Sequence, residues 1–104
     1  MNAAQRVMSL TEPPTAMVCI SDAVAIGALK YCTQRQLKIS VVGFDNTSLS
    51  GMYMPGITSV AQPRTLMGQT ATRMLLAKIG NSKLENQKQL LPHQLVVRSS
   101  TTQI

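Results

Sequence analysis

The chain has 104 residues, about one small domain's worth, and its 44% hydrophobic and 13% charged residues supply a core and exclude a disordered tail. Three aromatics (Tyr31, Phe44 and Tyr53) are too few for a stacking platform on single-stranded nucleic acid, and four carboxylates (Glu12, Asp22, Asp45 and Glu85) nearly exclude multi-carboxylate metal sites. The net charge of +6 comes from ten Lys and Arg residues that stand singly along the chain, which reads as a solvated surface short of acids, not a phosphate-tracking patch.

Asn2 to Leu10 has helical spacing, and Pro13-Pro14 stops it. Ala16-Met17-Val18-Cys19-Ile20 is a continuous apolar run of strand length and predicts a strand buried on both faces. Ser21-Asp22 opens a helical stretch to about Gln36, whose first half is apolar all round and therefore expected to be covered on more than one side. Ser40-Val41-Val42-Gly43-Phe44 is a second buried-type strand, ended by the turn residues Asp45-Asn46-Thr47-Ser48. Leu49 to Tyr53 suits one helical turn, and Ile57 to Val60 a third short strand. Pro63 opens a helix whose residues Met67, Ala71, Met74, Leu75 and Ile79 form an amphipathic stripe, ending at Gly80-Asn81-Ser82. Gln89-Leu90-Leu91 and Gln94 to Arg98 predict two strand pieces broken at Pro92. Helices alternating with apolar strands argue an α/β fold with a largely parallel sheet.

Ligands of open α/β sheets bind beyond the carboxyl ends of the strands. Asp22 and Asp45 both follow strand ends, with Ser21, Asn46 and Thr47 beside them. A carboxylate among hydroxyls and amides suits a sugar or nucleoside better than a phosphate. Structural roles compete: Asp22 or Ser21 stands where an N-cap would, Asp45 can end a strand in an Asx-turn, and Phe44 can be core. Enzyme constellations are poor. His93, the one histidine, is far in sequence from both cysteines and both strand-end acids and reads as a surface residue, and no Walker loop, GxSxG or HExxH occurs. Cys19 and Cys32 belong to no metal or redox motif and suit a reducing compartment. No signal-peptide pattern and no membrane-length apolar run is visible.

Four ordered segments carry a resemblance. Pro14 to Leu29 (PTAMVCISDAVAIGAL), Ser40 to Asn46 (SVVGFDN), Ile57 to Gly68 (ITSVAQPRTLMG) and Leu90 to Thr101 (LLPHQLVVRSST) resemble matching segments of the lac/galactose repressor family over about the whole chain. The resemblance implies a three-layer α/β core with a mostly parallel sheet, like the type I periplasmic binding proteins. This chain would be only a C-terminal part: 1–62 an incomplete C-terminal lobe, 63–91 a crossover helix and strand on the N-terminal lobe, and 92–104 the return and tail. It further implies a non-enzymatic, cytoplasmic transcriptional regulator without a cofactor. The regulator would bind a nucleoside (cytidine-like) or sugar between its lobes, form a homodimer and touch DNA only through an N-terminal domain outside this chain. Residue by residue it assigns effector contact to Asp45, Phe44, Ser21, Arg64 and Met67, and the dimer face to Ile26, Met52, Tyr53 and Met54. Alone, such a piece is expected to associate through open sheet edges. A periplasmic sugar-binding protein of an ABC transporter with the same fold is the nearest rival, and a small α/β enzyme the next. One departure stands out: Leu37-Lys38-Ile39 runs directly into Ser40 where the family carries about four more residues, and Gln36 stands where it prefers Gly, which puts the register of the following strand in question.

Overall fold

The structure, a computed structural model, describes residues 2–81 and 88–103. The chain divides into two units, residues 1–61 with 94–104, and residues 62–93.

In the first unit, Asn2 caps the short helix α1 (Ala3–Met8), its side chain accepting from the Gln5 amide at 2.8 Å. Strand β1 (Ala16–Val18) leads through Ser21 into α2 (Asp22–Gln34). Strand β2 (Ser40–Phe44), the short helix α3 (Ser48–Met52) and strand β3 (Thr58–Ala61) follow, and β4 (Gln94–Val96) closes the unit. The sheet order is β1-β2-β3-β4, parallel except for the antiparallel β3–β4 pair. This is the α/β, mostly parallel architecture expected from the alternation of elements.

The core forms where α2 lies on the sheet. Ala25, Ala28 and Leu29 of α2 pack with Val41, Ile57 and Ala4, and Met17, Cys19 and Ile26 add partly buried surface. Strand alternation puts Met17, Val41 and Ile57 on this covered side. Two expectations of double-sided burial do not hold within the chain. Ala16, Val18 and Ile20 point the other way and are exposed, Val18 at 81% and Ile20 at 84%. β1 is the edge strand of this sheet, and no described element covers that side of it. Likewise α2 buries one stripe and leaves Ala23, Val24 and Gly27 exposed. The open side of β1, with α1 and Val24, borders an apolar groove of about 610 Å3.

The departure at Gln36 resolves locally. α2 ends in a Schellman turn: the Leu37 amide donates to the Cys32 carbonyl at 2.9 Å and the Gln36 amide to the Thr33 carbonyl at 3.0 Å. The turn requires a left-handed residue, and Gln36 supplies it at φ 55°. β2 then starts at Ser40, paired with Ala16, so the short connection closes with the register intact. Left-handed backbone is costly for a residue with a Cβ and open to glycine. Gln36→Gly is therefore expected to stabilise the fold by about 0.5–1 kcal/mol. A circular dichroism melt with an unchanged or lower midpoint contradicts this.

The C-terminal segment is stitched to β2 and β3. The Ser100 hydroxyl accepts from the Thr58 amide at 2.8 Å and donates to the Val41 carbonyl, while the Val41 amide donates to the Ser100 carbonyl at 2.9 Å.

Among the described residues of the second unit, taken by itself, there is one helix, α4 (Arg64–Gly80), entered at Pro63. Its expected apolar stripe is not the buried face: Met67, Ala71, Leu75 and Ile79 are exposed and Met74 is half-buried, while Thr70 is the buried residue of the helix. Of the expected terminus, Gly80 and Asn81 end the helix and Ser82 lies outside the described residues. The expected strand at Gln89–Leu91 is absent, and Leu90 has no ladder partner.

Candidate effector site

Asp45 stands directly after β2, at the carboxyl end of the parallel strands, where the sheet rule expects a ligand. Its φ is 90° and that of Asn46 is 50°, an uncommon conformation for non-glycine residues and more so in succession. These two residues turn the chain off the sheet toward Thr47, the N-cap position of α3. The Asp45 amide donates to the Val60 carbonyl and the Asn46 amide to the Ser59 hydroxyl, both at 3.0 Å. Phe44 ends β2 opposite Val60, half-buried and outside the buried core cluster.

The adjacent pair Ser21-Asp22 has distinct roles. Ser21, assigned to effector contact by the resemblance, is the N-cap of α2, its hydroxyl accepting from the Val24 amide at 3.3 Å. Asp22, expected as the cap, is instead the first helical residue and is completely buried. Its Oδ2 accepts from the Thr47 amide at 2.6 Å and the Thr47 hydroxyl at 2.8 Å, and its Oδ1 accepts from the Ser59 hydroxyl at 2.6 Å. Burial of a carboxylate is tolerable when its lone pairs are filled in this way, and the start of a helix adds favourable backbone dipoles.

A second charge closes the loop from the other side. The Arg98 guanidinium donates through Nη2 to Asn46 Oδ1 at 2.8 Å, and through Nη1 to the Ile57 carbonyl at 2.7 Å and the Ser50 hydroxyl at 3.0 Å. Sequence reasoning placed Thr47 beside the strand-end acids without pairing it to Asp22, and it singled out neither Ser59 nor Arg98. The glycine of the SVVGF strand was the available signal, because Gly43 is where the Asp22 carboxylate lies against β2.

The remaining assigned residues separate. Arg64 and Met67 open α4 in the second unit. Ile26 and Tyr53 are half-buried against the core of the first, whereas Met52 and Met54 are 77% and 83% exposed. His93 is exposed, with its ring nitrogen Nδ1 3.2 Å from the Leu91 carbonyl. Burial pushes the Cys19 and Cys32 thiols up, and Cys32 adds to the shift at Cys19, which favours inert thiols. Among the described residues no three His, Cys, Asp or Glu side chains could share a metal ion, and no helix is long and apolar enough to cross a membrane.

The profile of the periplasmic binding protein-like domain matches residues 1–101. The chain belongs to that family. Its curated relatives include the HTH-type transcriptional repressor CytR of Escherichia coli (strain K12), 36% identical over 103 residues that are 95% of this chain and 30% of that one. The lac repressor dimer bound to operator and the anti-inducer ONPF superposes with a TM-score of 0.75 at 39% identity, covering 85% of this chain and 32% of that one. The transcriptional regulator CelR in complex with cellobiose gives a TM-score of 0.86 at 27% identity, covering 95% of this chain and 32% of the other. The likeness to the lac/galactose repressors read from the four segments thus holds in both sequence and fold. These similar proteins are transcriptional regulators and not enzymes. The chain spans about 30% of the length of the curated relatives it matches.

Proposed function

We propose that this chain is the effector-binding and dimerisation portion of a bacterial transcriptional repressor acting in the cytoplasm. Its ligand is a nucleoside, cytidine-like, or a sugar, hydrogen-bonded to the Asp45 carboxylate with Phe44 beside it. Binding changes the relative orientation of the lobes and so biases DNA affinity, which resides in a domain outside this chain. The single observation that carries the reading is the carboxylate at the carboxyl rim of a parallel sheet, on a loop held in a left-handed conformation. A carboxylate accepts paired hydrogen bonds from neighbouring ligand hydroxyls or amines, and the turn Asp45-Asn46-Thr47-Ser48 itself contains no Lys or Arg. CelR was solved with cellobiose, which supports a sugar-sized polar ligand.

In this reading residues 1–62 and 92–104 belong to the C-terminal lobe and 63–91 to the crossover. Ser21, while capping α2, retains a hydroxyl at the same rim, and Arg64 and Met67 are assigned by resemblance alone. The homodimer face comprises Ile26, Met52, Tyr53 and Met54, whose two exposed methionines are adaptable apolar contacts.

The test is calorimetric titration of the full chain with cytidine, ribose and cellobiose. Hydrogen bonds to a charged group contribute about 1.5–3 kcal/mol, so Asp45→Ala is expected to weaken binding by roughly 10- to 150-fold. Equal affinity of the variant and the wild type would remove Asp45 from the site.

A further inference from the structure

We infer that Asp22 and Arg98 are positioning residues that together fix the direction of Asp45, an inference that rests on the effector reading of Asp45. Two consecutive non-glycine residues at positive φ persist only where the surroundings over-determine them. Here the bonds that hold them come from outside the loop. The Asn46 amide donates to the Ser59 hydroxyl, which itself donates to Asp22 Oδ1. Thr47 sends both its amide and its hydroxyl to Asp22 Oδ2. One carboxylate, using both oxygens, thus governs the two residues that follow Asp45. On the opposite side, Arg98 grips the Asn46 side chain and ties it to Ser50 and the Ile57 carbonyl.

Asp22 has no exposed surface, so it is not offered to a ligand, and Arg98 directs its guanidinium to three protein acceptors, Asn46 of the loop among them. Asp22 sits at the start of α2 and Arg98 just beyond β4. A shift of either element would therefore be felt at Asp45, because packed elements transmit displacement rather than absorb it.

The test is amide hydrogen exchange on the full chain, with the Val41 and Cys19 amides, bonded to Ser100 and Val42, as the reference for global opening. Asp22→Asn is expected to speed exchange at Asn46 and Thr47 at least tenfold beyond any change at the reference amides. Thr47→Val is expected to act in the same direction, and Thr47→Ser, which keeps the hydroxyl, to restore the wild-type rate. Should Asp22→Asn fail to fold, Thr47→Val removes one bond to the carboxylate and Ser59→Ala removes both the bond to it and the bond to the Asn46 amide, and each gives the same readout. Acceleration at Asn46 and Thr47 only in proportion to Val41, or none, overturns the inference. Cytidine titration supplies the second arm: if the wild type binds, Asp22→Asn must weaken binding at least tenfold while still melting cooperatively, and unchanged affinity also overturns it. If the wild type binds neither cytidine, ribose nor cellobiose, the effector reading fails while the exchange arm still decides whether the clamp exists.

Discussion

Gly43→Ala is expected to cost on the order of 3–5 kcal/mol and to move the urea midpoint far below that of the wild type. The position lies in the middle of β2, where a side chain would ordinarily improve a strand. Here the added Cβ would overlap Asp22 Oδ1 and stand 3.1 Å from the Asp22 Cα and 3.2 Å from Ile57 Cγ2. None of the three can yield cheaply. The carboxylate is pinned by three hydrogen bonds, the Cα belongs to the first turn of α2, and Ile57 is fully buried. Overpacking a tight core costs about 1–3 kcal/mol, and displacing the carboxylate adds the loss of at least one charge-assisted bond. Gly27 is the internal control. It lies in α2 with nothing within 4 Å of the added Cβ, so Gly27→Ala should be neutral or stabilising by the helix propensity of alanine. A Gly43→Ala protein within about 1 kcal/mol of the wild type would mean that the carboxylate moves freely, contrary to its role as an anchor.

The sheet was legible because its signal is local. Ser40 to Phe44 is an apolar run bounded by turn residues, and it is β2 without a residue's difference. The run from Ala16 to Ile20 was legible as a strand but not in its burial. Its composition reports a strand meant to be covered on both sides, whereas the described residues supply cover on one. The stripe of α4 fails for the same reason: periodicity names the face that wants a partner, not the partner. At the site, the location of Asp45 follows from the rule for parallel sheets. Its setting does not. Asp22 meets Thr47 across 25 residues and Ser59 across 37, and Arg98 meets Asn46 across 52. No window on the sequence contains both ends of such a bond. Ser21 rather than Asp22 caps α2 although both side chains are competent caps, and only the position of the Thr47 and Ser59 donors decides which one turns inward.

Asp22→Ala should be about as damaging as Gly43→Ala, at roughly 3–5 kcal/mol, for the opposite physical reason. It creates no clash. It leaves the Thr47 amide, the Thr47 hydroxyl and the Ser59 hydroxyl without the oxygen each donates to, in a place where Ser59 is fully buried. Each orphaned buried donor costs about 1–3 kcal/mol, partly recovered where water enters the vacated volume. Asp22→Asn should cost less, since one amide oxygen still accepts while its NH2 opposes a donor. The two large effects are expected not to add. Once the carboxylate is gone, the Cβ at position 43 no longer meets Oδ1, so Gly43→Ala in the Asp22→Ala background loses the part of its penalty that the carboxylate imposes, while the contacts to the residue 22 Cα and Ile57 remain. The double variant should therefore be more stable than the sum of the single changes predicts by about 1–3 kcal/mol. Urea unfolding of all four proteins reads that coupling directly. Strict additivity would show that Gly43 is required by Ile57 or the α2 backbone alone, and that the carboxylate is not the group this glycine makes room for.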